Sequence, residues 1–567
     1  MSMNIRPSWL FLYCLFIPMT WATAQSSDAV HYDIRKKVVC SHAAVVSAHP
    51  LASKAGILIL KQGGNAFDAA IATQLALAVV FPGAGNIGGG GFMVGHLHNG
   101  KNITIDYREK APSKAGRDMY LDSNGNPQLQ LSQEGHLSAG VPGTIAGLFS
   151  AMKYTRLPFY KLIQPAIELA EKGFALTAAQ ARSLNSVRND FLRLNSYPTA
   201  FVKDQLWKTG DTLVQEDLAK TLKRIQEKGM KGFYSGKTAR LIVAEMARGN
   251  GIISLKDLRE YRAKEREAVE FNYKGFAIIT MPLPASGGII LQQLMKMTEE
   301  RDIASMKFQT AGSVQLMIEA ERRAFADRAE FLGDPDFVKV PVKTLVSGPY
   351  LKKRMEDYTP GIAGNSKTTG AGFIKESEET THFSIIDSDG NAVAVTTTLN
   401  NTYGSKTVVS GAGFILNDEM DDFSVKPGVP NLYGAIGNEK NAIAPGKRML
   451  SSMTPTIVLK SGQPFLVAGT PGGTTIPTSV FQTLVNIIDF GMTAEDAVNL
   501  PKFHHQWLPD VVDIEKGFSP ITALELEKMG YKLNQRGSIG RTDIIHILDK
   551  MITAIGDNRG DDDAEGF

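Results

Sequence analysis

The stretch Lys375–Asn400, KESEETTHFSIIDSDGNAVAVTTTLN, constrains the fold more than any other. Two apolar-alternating runs, His382–Asp387 and Ala392–Thr397, flank Ser388-Asp389-Gly390, which is the pattern of a β-hairpin. A three-residue loop ending in glycine fits a type I turn closed by a left-handed residue, a conformation glycine adopts without a Cβ clash. That register sets Asp387 opposite Asn391 and, counted back along both strands, Thr380 opposite Thr398. A two-residue Asp389-Gly390 turn would instead pair Thr381 with Thr398. Either way, a Thr-Thr pair opens one strand beside a Thr-Thr-Thr run closing the other.

Threonine suits strands, so β-branched packing alone would explain an isolated hairpin of this kind. What precedes it is different. Residues 360–379 are polar and charged, carry Gly361, Gly364, Gly370 and Gly372, and read as an exposed loop. A flexible loop running straight into a strand led by threonine points to cleavage before Thr380. A threonine freed at its N-terminus has a hydroxyl nucleophile and, on the same residue, an α-amine to act as its base. With a pKa of about 7.7–8.0, that amine is suited to proton transfer near neutral pH.

The segment Thr380-Thr381-His382-Phe383-Ser384 with its hairpin resembles the small-subunit start of the γ-glutamyltranspeptidases, which are N-terminal-nucleophile hydrolases. The resemblance runs over nearly the whole chain after a leader. It implies an α/β (α+β) fold, the four-layer αββα sandwich of that superfamily. It also implies autocleavage between Glu379 and Thr380, giving a large subunit, 25–379, and a small subunit, 380–567. The two would share one core and stay together as a heterodimer, working without metal or cofactor.

Other segments carry the substrate chemistry. Ile103–Lys110, ITIDYREK, reads as a strand ending in an exposed polar cluster. Arg108 there either forms a surface salt bridge with Asp106 or Glu109, or serves as a fork for a substrate α-carboxylate. The family's Asp-x-Arg-Glu-x-Ala-Pro motif carries the second role and transfers it to Arg108. In Gly411–Phe423, Glu419 and Asp422 lack the further ligands a metal site needs, and nothing supports a glycosidase dyad. Their negative charge suits a substrate ammonium, and the resemblance assigns Asn400, Glu419 and Asp422 to the α-amine. Gly469–Thr474 holds successive glycines whose N–H groups can converge on an anion. In the family, the positions of Gly472 and Gly473 form the oxyanion hole. The resemblance also puts Ser451 and Ser452 on the α-carboxylate opposite Arg108, Tyr433 on a lid loop within Lys426–Lys447, and Thr398 beside the Thr380 hydroxyl.

Composition narrows the remaining classes. With 567 residues and 43% hydrophobic content the chain can bury a large core. A balance of 61 basic to 58 acidic residues gives no nucleic-acid footprint, and no nucleic-acid partner is expected. Residues 1–24 form a signal peptide: Arg6 is the single charge, Trp9–Met19 is apolar, and Ala22-Thr23-Ala24 is a small-x-small cleavage site. No later stretch reaches spanning length, so an exported protein, periplasmic or secreted, is expected, with no membrane attachment after signal cleavage. Cys14 leaves with the leader, and Cys40, left alone, reads as structural. Gly83-x-Gly85-x-x-Gly88 formally matches a dinucleotide fingerprint, but a helix precedes it and a strand follows, the reverse of the required order. The charges of Glu319–Phe331 read as solvated or paired, His504-His505 as packing residues, and Asp561–Asp563 as a solvated tail.

The expected substrates are glutathione and other γ-glutamyl compounds, with water, an amino acid or a dipeptide as acceptor. Three other readings remain: a cephalosporin-type acylase, a poly-γ-glutamate hydrolase, and an exported glutamate-binding protein that never matures.

Overall fold

The computed structural model describes residues 1, 32–370, 380–426 and 439–567. The signal peptide, Glu379 and Tyr433 lie outside the described residues. Two seven-stranded sheets form the centre. Their strands in chain order are β1 (Lys37–Cys40), β2 (Ala44–Ser47), β3 (Gly90–His96), β4 (Asn102–Asp106), β5 (Lys264–Glu265), β6 (Val269–Tyr273), β7 (Phe276–Thr280), β8 (Thr381–Ile386), β9 (Ala392–Thr398), β10 (Thr456–Lys460), β11 (Gln463–Gly469), β12 (Asp543–Leu548), β13 (Met551–Ile555) and β14 (Asp563–Gly566). One sheet runs β14-β2-β8-β9-β3-β4-β5 and the other β1-β13-β12-β11-β10-β7-β6.

Strand period two explains the layering. In the first sheet Val45, Met93, Phe383, Ile385, Val393 and Val395 face a helical layer that includes helix Ala66–Val80. The alternate residues Val46, Phe92, Val94, Ile386, Ala392 and Ala394 pack on Ile279, Ile457, Val467 and Ile545 of the second sheet. The opposite face of that sheet, with Ile278, Val458, Leu466 and Ile544, is covered by helices Gly287–Glu299, Ala311–Phe331 and Thr475–Ile488. The result is the expected αββα sandwich, in which both faces of each sheet are buried.

The hairpin takes the three-residue-loop register. Thr381 pairs with Thr397 and Ile386 with Ala392, Asp387 N–H donates to Asn391 O at 3.1 Å, and Gly390 is left-handed at φ 85°. The Asp387 carboxylate accepts from the N–H groups of Asp389 and Asn391, and from Ala66 N–H at the start of helix Ala66–Val80. A carboxylate at a helix N-terminus meets both unpaired N–H groups and the positive end of the dipole. The turn is thereby locked to the helix beneath it.

Two expectations need correction, and one open pair of alternatives is decided. Asp562 and Asp563 are not a solvated tail: both are buried, and Asp563 opens β14, an edge strand paired with β2. Of the two alternatives for helix Ala311–Phe331, solvated or paired charges, the structure takes the second: Glu319 is buried with Arg322 and Arg323 and bonded to both. Asp106, Arg108 and Glu109 are likewise buried, not exposed. Partners distant in the chain offset the cost of taking charge out of water for Asp106 (Arg266 and Arg448), Arg108 (Glu419 and Asp422), Arg322 (Asp510) and Arg323 (Asp357).

The exit of the hairpin is tied to the acidic turn 417–423. Asn401 donates from its backbone and its side chain to the Asp418 carboxylate at 3.0 and 2.5 Å, and Asp418 N–H donates to Leu399 O at 3.0 Å. Burial pushes the Asp418 carboxyl up to about 7, with Lys406 and the Asn401 bonds pulling it back. A carboxyl that stays protonated in the fold while the unfolded chain ionises near 3.8 makes stability fall as pH rises between those two values. Asp418→Asn removes this dependence. Relative to wild type, the variant should gain stability from pH 4.5 to 7 and change no further above 8, as read by denaturant unfolding. A pH-independent difference would show that Asp418 ionises normally in the folded chain.

Candidate active site

Thr380 is buried directly ahead of β8. Continuing the Thr381–Thr397 pairing by one step sets it opposite Thr398, the last residue of β9. Thr380 and Thr398 share the sandwich-interior face with the pair His382 and Thr396. His382 is 2.9 Å from Thr396 Oγ1 through Nδ1 and 3.1 Å from Ser384 Oγ through Nε2. Burial pulls its pKa down to about 3, so the ring is neutral and serves as an internal hydrogen-bond bridge. The second sheet meets the hairpin here: a Cβ on Gly469 would lie 2.2 Å from the His382 ring. Only glycine permits that approach. Three residues beyond Gly469 come Gly472 and Gly473, at φ 134° and 55°, leading into helix Thr475–Ile488. Among the described residues neither of their N–H groups donates a hydrogen bond. A pair of N–H groups at a helix start is suited to an oxyanion.

The glycine run packs β3 against the hairpin. A Cβ on Gly88 would lie 2.1 Å from Ile415 O, and one on Gly89 2.3 Å from Thr398 O. Asn86 donates to Thr398 O at 2.8 Å and to Thr397 Oγ1 at 3.1 Å. The fingerprint-like glycines are therefore packing glycines, with helix Ala66–Val80 before them and β3 after.

Arg108 follows β4, only 1% exposed, and does not take the surface salt bridge that most arginines take. Its guanidinium meets Glu419 at 2.5 Å, Glu109 at 3.7 Å, and Asp422 through NH2. Its other N–H groups point at Met449 O and Leu450 O, both at 3.4 Å. Burial alone would lower the Arg108 pKa, but Glu419, Asp422 and Glu109 carry it above the ordinary value. The carboxyls respond in the opposite sense. Burial pushes Glu109 up to about 8, against the pull of Arg108. It also raises Glu419 and Asp422, with Arg108 again opposing. Like charges in one dry space do not all ionise, so the cluster retains protons at neutral pH.

Ser451 and Ser452 follow Leu450 directly and are buried. Ser451 N–H donates to Pro284 O at 2.9 Å, and Ser286 N–H donates back to Ser451 O at 2.7 Å. Asn400 is left-handed at φ 79°, its N–H donating to Thr398 Oγ1 at 2.8 Å and its side chain to Asp418 O at 3.1 Å. Asn is among the few side chains that tolerate this conformation.

Sequence reasoning assembled Thr380, Thr398, Arg108, Asn400, Glu419, Asp422, Ser451, Ser452, Gly472 and Gly473. The structure puts Thr398 with Asn400, and Arg108 with Glu419, Asp422 and the strap before Ser451. It adds Asn86, Glu109, Asp418 and Ser286. Glu109 adjoins Arg108 in the same motif and was the most accessible of these from sequence. His504 and His505 serve as hydrogen-bonded packing residues, bonded to Thr478 and Asp510 respectively. Among the described residues no group of three or more His, Cys, Asp or Glu is placed to hold a metal ion, and no helix is long and apolar enough to cross a membrane.

A family model described as gamma-glutamyltranspeptidase matches residues 52–567. The chain is 46% identical over 526 residues to the glutathione hydrolase proenzyme of Escherichia coli (strain K12), covering 92% of this chain and 91% of that one. It is 34% identical over 516 residues to the acylase ACY 1 proenzyme of Pseudomonas sp. (strain V22), covering 88% of each. Among solved structures, the gamma-glutamyltranspeptidase of Helicobacter pylori matches at TM-score 0.56 and 45% identity, over 57% of this chain and 94% of that chain. A cephalosporin acylase from Bacillus halodurans matches at TM-score 0.82 and 25% identity, over 98% of this chain and 99% of that chain. The chain belongs to the gamma-glutamyltranspeptidase family and is an enzyme of that family.

Proposed function

We propose that the chain is a proenzyme that cuts itself before Thr380 and then acts as a glutathione hydrolase and γ-glutamyltransferase. In maturation the Thr380 hydroxyl attacks the Glu379 carbonyl. The acyl group shifts from nitrogen to oxygen, and water hydrolyses the ester. The products are the large subunit 25–379 and the small subunit 380–567, which stay together because both contribute strands to each of the two sheets. In catalysis Thr380 Oγ attacks the γ-glutamyl amide, with its own α-amine taking the proton. Thr398 orients the hydroxyl, and Gly472 and Gly473 N–H groups receive the oxyanion. The amine released from the donor leaves with the proton. Water, an amino acid or a dipeptide then takes the γ-glutamyl group from the Thr380 ester.

The observation that carries this reading is the buried contact of Arg108 with Glu419 and Asp422. A donor with an α-carboxylate and an α-ammonium suits such a site: the carboxylate replaces acid oxygens at the guanidinium, with Ser451 and Ser452, and the ammonium goes to Asn400, Glu419 and Asp422. Tyr433, outside the described residues, is assigned to the lid over this pocket. An acylase with a glutaryl donor has no ammonium to satisfy the carboxyls, and a poly-γ-glutamate hydrolase needs a groove for a polymer. A binding protein that never matures would give one band on a denaturing gel. The leader supports export to the periplasm or the medium.

Thr380→Ala should remain one uncleaved chain without activity, read by intact mass and by release of p-nitroaniline from γ-glutamyl-p-nitroanilide. A processed, active variant would end the proposal. Arg108→Lys keeps the charge but loses the fork, and should raise KM for the same substrate by roughly 10- to 100-fold, the worth of a charge-assisted hydrogen bond. Because the α-amine must be neutral to accept a proton, kcat/KM should rise with pH through about 7–8. A rate that falls across that interval would rule out the amine as base.

A further inference from the structure

Arg328 lies near the end of helix Ala311–Phe331, 1% exposed, behind the strap that carries Ser451 and Ser452. Its Nε–H donates to Ser286 Oγ at 2.8 Å. Ser286 Oγ in turn donates to Ser451 O at 2.7 Å, and Ser286 N–H donates to the same oxygen at 2.7 Å. The direction of this relay is fixed by chemistry. A guanidinium only donates, so the Ser286 hydroxyl accepts from Arg328 and its single proton goes to Ser451 O. Gly287 completes the seat: a Cβ there would lie 2.0 Å from Thr454 Oγ1 and 2.7 Å from Ser452 O.

Two consequences follow for the strap. With its carbonyl held by two donors, the Ser451–Ser452 peptide has no rotational freedom, and in a trans peptide the Ser452 N–H points away from Ser286. Among the described residues neither that N–H nor the Ser452 hydroxyl makes a hydrogen bond, although Ser452 is buried. On the other side Arg108 holds Met449 O and Leu450 O. The strap is thus held from behind by Arg328 through Ser286 and from the front by Arg108. Burial draws the Arg328 pKa down to about 9, while Asp422 raises it and Arg108 lowers it further, so Arg328 also lies within the electrostatic reach of the acidic turn.

We propose that Arg328 is a positioning residue for the α-carboxylate subsite: acting through Ser286, it fixes the Ser451 carbonyl and so presents the Ser452 N–H and hydroxyl to the carboxylate of the γ-glutamyl donor. This rests on the reading of Ser451 and Ser452 as carboxylate-binding residues given above. It makes affinity for the α-carboxylate, not the chemical step, the property that Arg328 controls.

The test compares two competitive inhibitors of γ-glutamyl-p-nitroanilide turnover, L-glutamate and 4-aminobutyrate, which lacks only the α-carboxylate. The ratio of their inhibition constants reads the carboxylate subsite directly. Wild type should favour glutamate strongly. Arg328→Gln should reduce that preference by about tenfold or more, raise KM for γ-glutamyl-p-nitroanilide to match, and leave kcat within about threefold. Ser286→Ala should shift the ratio in the same direction, and Ser286→Thr, which keeps a hydroxyl, should restore it. If Arg328→Gln fails to mature into two subunits, the two Ser286 variants decide. A wild type that does not distinguish the two inhibitors would overturn the carboxylate reading of Ser451 and Ser452 itself. A wild type that distinguishes them, with Ser286→Ala and any mature Arg328→Gln keeping the full preference, would overturn the role of Arg328 alone.

Discussion

A guanidinium shut away from water is the constraint around which the pocket is built. Arg108 cannot shed its charge, so burying it costs several kcal/mol unless acids come to it. Those acids, Glu419 and Asp422, lie more than 300 positions along the chain, on the far side of the hairpin. Their presence creates the reverse difficulty, because Glu109, Glu419 and Asp422 around one cation are too many negative charges for a dry space. The raised carboxyl pKa values are how the cluster resolves it. On the proposed reading, a zwitterionic amino-acid head relieves this crowding, its carboxylate taking an acid's place at Arg108 and its ammonium meeting the carboxyls so displaced.

The hairpin meets this pocket through backbone geometry. Its turn is pinned to helix Ala66–Val80 by Asp387, and its exit is bonded to the acidic turn by Asn401 and Asp418. Between these fixed ends, period-two alternation sends Thr380, His382, Thr396 and Thr398 to the same face, and His382 abuts Gly469 of the other sheet. The strand that leads to Gly472 is therefore packed face to face against the strand that begins after Thr380. A neutral histidine bridging two hydroxyls is an inexpensive way to pass polar atoms through a sandwich core, since each of its nitrogens has a partner.

What could be read from sequence divides along the range of the interaction. The hairpin was legible because Ser388-Asp389-Gly390 carries its own turn chemistry. The αββα architecture and most of the site came from the resemblance, not from periodicity. Charges were misread wherever their partners are distant. Asp562 and Asp563 look like a tail until Arg541 is seen beside Asp562 and β2 beside Asp563. Glu319, Arg322 and Arg323, three and four residues apart, were legible as solvated or paired, and only their burial decides for the pair. Arg328 gives no local signal at all, because its neighbours Ser286 and Ser451 come from two other parts of the chain.

That last case shows why a strap, and not a helix or strand, bears Ser451 and Ser452. A strand residue would spend its N–H and carbonyl on the sheet ladder, leaving only a side chain for a ligand. Here Ser451 gives its N–H to Pro284 and its carbonyl to Ser286, while Ser452 commits neither N–H nor hydroxyl among the described residues. A loop with such uncommitted groups would ordinarily adjust them to satisfy one another. It keeps its shape because Arg108 and Ser286 grip adjacent carbonyls from opposite sides, and because Gly287 lets a helix start pass within van der Waals distance of its backbone. On the proposed reading of this strap as the α-carboxylate subsite, preorganisation of this kind removes the entropy cost of ordering the site when a carboxylate arrives, and that saving appears as affinity.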